Sequence, residues 1–109
     1  MPLVMWYSRL QPGVTPEEYE QWVRTVDYAG AEEIESIVIY RVHRVLGPFL
    51  EEGIGEYDYV EIAEVTDMDD YMRDLEEHPS AKRIVAEIGD YVESVGSAWG
   101  MPTEKDVGD

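Results

Sequence analysis

The sequence predicts an α+β fold of the split β-α-β-β-α-β kind, ferredoxin-like, with an antiparallel sheet that carries its helices on one face. Three observations predict it. Runs of strand character and runs of helical spacing follow one another in the order strand, helix, strand, strand, helix, strand. Breaks rich in glycine and proline separate them. The second strand is apolar on both sides, although the helices of such a sheet cover only one.

"PLVMWYSRL" is a short β-rich run stopped by "QPG", which makes residues 3–10 the first strand. "TPEEYEQWVRTVDYAG" opens with an N-cap threonine, a proline at the first helical position and Glu18 three residues after Thr15, a capping box. Tyr19, Trp22, Val23 and Val26 follow at helical spacing. The second strand runs from about Ile34 to Leu46, with Val38, Tyr40 and Val42 on one side and Ile37 and Ile39 on the other. "GPFLEEGIGE" interrupts, and "YDYVEIAEV" resumes alternation as the third strand of a hairpin with a long tip. Thr66 or Asp67 caps the next helix, whose Met68, Tyr71, Met72 and Leu75 form a packing stripe. After a break at His78-Pro79, Ala81, Ile84, Val85 and Ile88 share a face that Tyr91, Val92 and Val95 continue. "SVGSAWGM" reads as a last edge strand, so that residues 1–102 make a single domain and 103–109 a flexible tail.

The chain has 109 residues, room for one core. Twenty-five acids against eight bases, a formal charge of −17, argue against nucleic acid and against anionic membrane surfaces, which both call for a basic patch. There is no cysteine, hence no disulfide and no thiolate nucleophile or ligand. Two histidines far apart in sequence make a metal site within one protomer unexpected, and the spacing around "TDMDD" and "GPFLEEGIGE" fits neither a calcium loop nor a phosphate loop. No metal and no cofactor is expected. Neither a basic leader nor an apolar run of about 18 residues is present, and the expectation is a cytoplasmic protein with no membrane partner. The uncovered apolar side of the sheet is best covered by a second copy, a face-to-face homodimer with a barrel-like interior.

If the hairpin tip is centred near Glu51 and Glu52, His43 stands opposite Glu61 and Val45 opposite Tyr59, and Arg41, His43, Tyr59 and Glu61 share one face. From the first strand either Met5, Tyr7 and Arg9 or Trp6 and Ser8 join them. Tyr7 and Arg9 are preferred, because Val4, Trp6 and Leu10 suit the helices better. A histidine held by a carboxylate is a competent general base, and Arg41 beside it would stabilise a developing enolate or phenolate. The catalytic candidates are therefore His43, Glu61 and Arg41. The candidates for binding substrate are Tyr7, Arg9, Tyr59, Asp27, Tyr28 and Trp99. Asp27 and Tyr28 earn their place because a carboxylate is unfavourable at a helix carboxyl end and suggests a role at the cavity mouth. Trp99 closes either the dimer seam or the pocket. His78 caps a helix, and Arg44, on the other parity, reaches solvent or a helix carboxylate.

"LQPGVTPEEYEQWVRTVDY", "SIVIYRVHRVLGP" and "YDYVEIAEVTDMDDYMRDL", in this order of elements, resemble the RedY-like (HapK-type) family of the dimeric α/β-barrel superfamily, over residues 3–95 or so. The resemblance implies a ferredoxin-like protomer, a dimeric α/β barrel, and handling of a small aromatic substrate without a bound cofactor. The function it implies is a cofactor-independent enzyme of aromatic natural-product biosynthesis, of indole, pyrrole or polyketide-like type, working by acid–base cyclisation or tautomerisation. A cofactor-free quinol or phenol monooxygenase, and a non-catalytic accessory protein for a reactive intermediate, are the alternatives. The resemblance carries no agreed catalytic residues with it.

Overall fold

The computed structural model describes residues 1–50 and 57–103. Within them the chain builds β1 (Leu3–Leu10), α1 (Pro16–Trp22), a π-helical turn (Val23–Asp27), α2 (Tyr28–Glu32), β2 (Ile37–Arg44), β3 (Tyr59–Val65), α3 (Met68–Glu77), α4 (Pro79–Ile88) and β4 (Val92–Gly100). The strands form one antiparallel sheet in the order β2-β3-β1-β4, the expected split α+β, ferredoxin-like arrangement.

Local chemistry sets the helix starts. Thr15 Oγ1 accepts from the Glu18 amide at 3.2 Å while Glu18 Oε1 accepts from the Thr15 amide at 3.2 Å, and Pro16 occupies the first turn, where its missing N–H has no partner to lose. Asp67 caps α3 through the Asp69 amide. His78 caps α4, its Nδ1 accepting from the Ser80 amide at 3.1 Å, and Pro79 prevents α3 from running on.

One face of the sheet packs against the helices. Val4, Ser8, Tyr59, Ala63, Val65 and Val92 are buried there beneath Tyr19, Trp22 and Val23 at one end and Tyr71 at the other. Tyr19 lies edge-on to Tyr59, centroids 4.7 Å apart, and stacks with Trp22, which stacks in turn on Tyr91.

Four expectations are corrected. The β2–β3 pairing is displaced by one residue: Val42, not His43, lies opposite Glu61, His43 faces Val60, and Arg44 faces Tyr59. Because side chains alternate, that single step sends Glu61 and Tyr59 under the helices and leaves Arg41 and His43 on the open face. A separate irregularity between Ile37 and Ile39 changes the phase at the start of the strand: Ile37 joins Tyr40 in packing towards the helices, and Val38 and Ile39 are both exposed. α4 stops at Ile88, and Val92 and Val95 belong to β4 rather than to the helix. Met72, placed in the packing stripe of α3, is 50% exposed. The hairpin tip at Glu51 and Glu52, and positions 104–109 of the expected tail, lie outside the described residues.

Thr15→Ala removes the side-chain half of the capping box and should cost about 1 kcal/mol. A lowered urea midpoint with unchanged m-value would show it, and an unchanged midpoint would remove the cap from the account of α1.

Candidate active site

The first long helix does not end at Asp27, as the dipole reading of that residue assumed. It continues through a π turn, in which the Tyr28 amide donates to the Val23 carbonyl five residues back. Five residues share this turn, and they bring Asp27 round beneath the sheet, where it is 1% exposed. From the sheet side, the one-residue step in register brings Glu61 to meet it, 5% exposed.

Tyr40 of β2 joins the two acids. Its hydroxyl donates to Asp27 Oδ2 at 2.8 Å, and the same oxygen lies 3.3 Å from Glu61 Oε2. Tyr19 donates to the other oxygen of Glu61, Oε1, at 2.9 Å. A phenol has one proton to give. With both carboxylates charged, one of the two contacts at the Tyr40 oxygen is lone pair against lone pair, and a proton on either carboxyl completes the network.

Electrostatics favour that extra proton. Burial pushes the Asp27 carboxyl up to about 7, against the lowering effect of the Tyr40 hydrogen bond and with help from the Glu61 charge. Burial likewise raises Glu61, although both tyrosine hydroxyls hold it down. Tyr19 and Tyr40 are themselves pushed well above the phenol range, chiefly by burial and then by the Glu61 charge, and remain proton donors at any ordinary pH.

The acids open into a cavity of about 350 Å³ between the sheet and the helices. This is within the range of small-molecule sites, about 300–1,000 Å³. Its walls are mainly apolar: Trp6, Ile34, Ile37, Leu75 and Ile84 stand around Asp27, Glu61 and Tyr40, with Tyr71 from α3. Ser8 lines it too, and its Oγ is buried without a hydrogen-bond partner. Among the described residues no three histidine or acidic side chains converge as metal ligands, and no helix is long and apolar enough to cross a membrane.

The structure brings two of the sequence-derived candidates together and leaves the other seven apart from them. Glu61 and Asp27 line the cavity, Asp27 in its depth rather than at its mouth. His43 and Arg41 are exposed on the other face of the sheet, and their expected pairing with Glu61 does not form. Tyr7 is on that open face, its ring 5.0 Å from Tyr57, and Arg9 is tied to Glu93 at 2.9 Å. Tyr28 binds the backbone of β2, its hydroxyl accepting from the Val42 amide at 2.9 Å. Tyr59 is buried on the helix side and donates to Glu20, which also pairs with Arg44 at the surface. Trp99, across from Val4 on β4, is 58% exposed. None of these seven lines the cavity.

Tyr40 and Tyr19 are site residues that the sequence places among the apolar positions of β2 and the first helix. The signal available is an acid in phase with an apolar stripe: Glu61 shares the parity of Tyr59, Ala63 and Val65, and Asp27 falls four residues after Val23.

A family model described as REDY-like protein HapK matches residues 2–102. The chain belongs to this family. No curated protein sequence gives a significant match. Among solved structures, HapK from Hahella chejuensis is similar at 26% identity, with a TM-score of 0.82 over 100% of this chain and 99% of that one. The hydroxynitrile lyase from Passiflora edulis is 14% identical, with a TM-score of 0.76 over 96% and 95% of the two chains. SnoaB, a cofactor-independent oxygenase from Streptomyces nogalater, is 17% identical, with a TM-score of 0.68 over 100% of both. These last two likenesses are likenesses of fold alone.

Both buried carboxyls have folded-state pKa values raised above their unfolded ones. The unfolded chain therefore gives up these protons first as pH rises. The contribution of the acids to stability is fullest below pH 4 and is lost as pH climbs towards 7. Asp27→Asn removes most of this loss and keeps an acceptor for Tyr40. The variant should exceed the parent in stability by on the order of 2–4 kcal/mol at pH 8, with the gap closing near pH 4. Urea midpoints at the two pH values test it, and a gap that does not change with pH would mean that Asp27 is ionised normally.

Proposed function

We propose that this REDY-like protein is a cofactor-independent enzyme of aromatic natural-product biosynthesis that moves protons within a small aromatic substrate, by tautomerisation or cyclisation. The observation that carries the reading is the Asp27–Tyr40–Glu61 network, buried at the wall of an apolar cavity. Burial raises both carboxyls, Asp27 to about 7, so that the pair holds a proton near neutral pH while its other member is able to take one.

In this reading the ionised member of the Asp27–Glu61 pair takes a proton from a carbon beside a carbonyl group, and the C–H electron pair becomes the enol double bond. The carbonyl oxygen receives the proton that the other carboxyl holds, directly or through the Tyr40 hydroxyl. Return of a proton to a different carbon completes a tautomerisation, and attack of the enol carbon on a second carbonyl gives a ring. Tyr19 holds Glu61 in place throughout. The same base would deprotonate a phenol, which is where cofactor-free oxygenation begins. Likeness of fold to SnoaB keeps that second reading in view, and oxygen consumption during turnover separates the two.

The protein acts as a homodimer in this proposal. The open face of the sheet carries the half-buried Met5, Tyr7, Val60 and Ile62 with the exposed Ile39, a patch suited to a second copy. Arg41 and His43 then serve the seam rather than the chemistry.

Two experiments test these statements. Incorporation of solvent deuterium into the methyl group of 2-acetylpyrrole and 3-acetylindole, followed by mass spectrometry, should be accelerated by catalytic amounts of protein. Asp27→Asn should slow it by about 10²-fold or more, Tyr40→Phe should slow it less, and His43→Ala should leave it unchanged. Activity lost in His43→Ala but kept in Asp27→Asn would return the site to the open face. Separately, Ile62→Arg should convert a dimer into a folded monomer in sedimentation experiments. A parent protein that already sediments as a monomer would end the dimer proposal.

A further inference from the structure

The charge carried by the cavity has one sign. Its charged lining residues are Asp27 and Glu61, and no lysine, arginine or histidine stands among the described residues that form its wall. Arg44 and Arg83 sit at the surface, held by Glu20 and Glu87. The remaining wall is aliphatic or aromatic, apart from tyrosine and serine hydroxyls. An anion entering this space would give up its hydration, find no counter-charge, and approach two groups that share at least one negative charge at neutral pH and above. A neutral molecule with N–H or O–H groups meets the opposite situation. Tyr40 occupies Oδ2 of Asp27, and the other oxygen of that carboxyl is not taken by it.

Size adds a second limit. A dry apolar cavity of about 150 Å³ accepts one benzene ring, and the space of about 350 Å³ beside the acids suits two fused or linked rings.

Resting on the acid–base reading above, we infer that the substrate is an uncharged or cationic two-ring molecule that donates hydrogen bonds to Asp27 and Glu61, and that the site rejects carboxylates and other anions. Selectivity of this kind is built from repulsion as much as from contact. It is also distinct from the general repulsion of a chain with a formal charge of −17, because that outer field is screened within about 4 Å at 0.5 M salt whereas a buried pair is screened much less.

The test uses three probes of one shape, 2-naphthalenemethanol, 2-naphthylmethylamine and 2-naphthoate, with affinities measured by calorimetry at pH 8 in 0.5 M KCl. The alcohol and the ammonium should bind, and the carboxylate should bind at least about tenfold more weakly than the alcohol. Asp27→Asn and Glu61→Gln should each narrow that ratio, and the double variant should bring it to within about threefold. The amides keep the shape and the acceptor atoms, and a thermal melt confirms that each variant is folded. Naphthoate binding as well as the alcohol would overturn the inference, as would a ratio untouched by the double variant or a failure of all three probes to bind. None of these outcomes depends on turnover. The expected order of affinities without any deuterium exchange would sink the acid–base reading and leave the charge selectivity standing.

Discussion

A single phenolic hydrogen stands between two buried carboxyl groups, and much of the molecule is arranged around that shortage. Tyr40 reaches Asp27 and Glu61 at once, Tyr19 supplies Glu61 with a second donor, and the Tyr59 hydroxyl is taken by Glu20. Two charged acids in an apolar wall would be costly to hold with so few donors. The cost is contained if the pair keeps a proton, and a pair that keeps a proton close to neutral pH is able to give and to take one.

Two independent parts of the backbone must agree for this to happen. The π turn carries Asp27 under the sheet, and the register of β2 on β3 turns Glu61 and Tyr40, which lies opposite Ala63, to the same side. Each part bends or shifts a regular element, while the capping box, the His78-Pro79 break and the aromatic cluster around Tyr19 hold the surrounding structure to ordinary rules. The irregularities are concentrated at the acids, where local preference was given up for position.

That division also accounts for what could be read from the sequence. The limits of β1, the cap at Thr15 and the helix break at His78 were legible because each depends on a few neighbouring residues. The pairing of β2 with β3 was not. It depends on where the hairpin turns, which alternation alone does not fix, and a step of one residue reverses the placement of His43 and Glu61. Val92 and Val95 continue the helical spacing of Ile88 and Tyr91, yet they belong to β4, where Val92 is buried and Val95 exposed. The dipole mismatch expected at Asp27 does not exist, since the helix goes on. The anomaly that mattered was a carboxylate on the buried stripe.

Helical phase gives the π turn a further meaning. One residue more than an α-helix needs is spent between Val23 and Asp27. If the same residues were wound as regular α-helix, everything after the turn would swing by about 100° relative to everything before it. Tyr19 and Trp22 on one side, and Asp27 and Ala31 on the other, could then no longer face the core together. Loss of one residue from the turn, such as the solvent-facing Thr25, would restore regular winding and leave both flanks in phase. In evolutionary terms the turn is an insertion absorbed in place, and a relative one residue shorter here would hold the carboxylate in the same position without it.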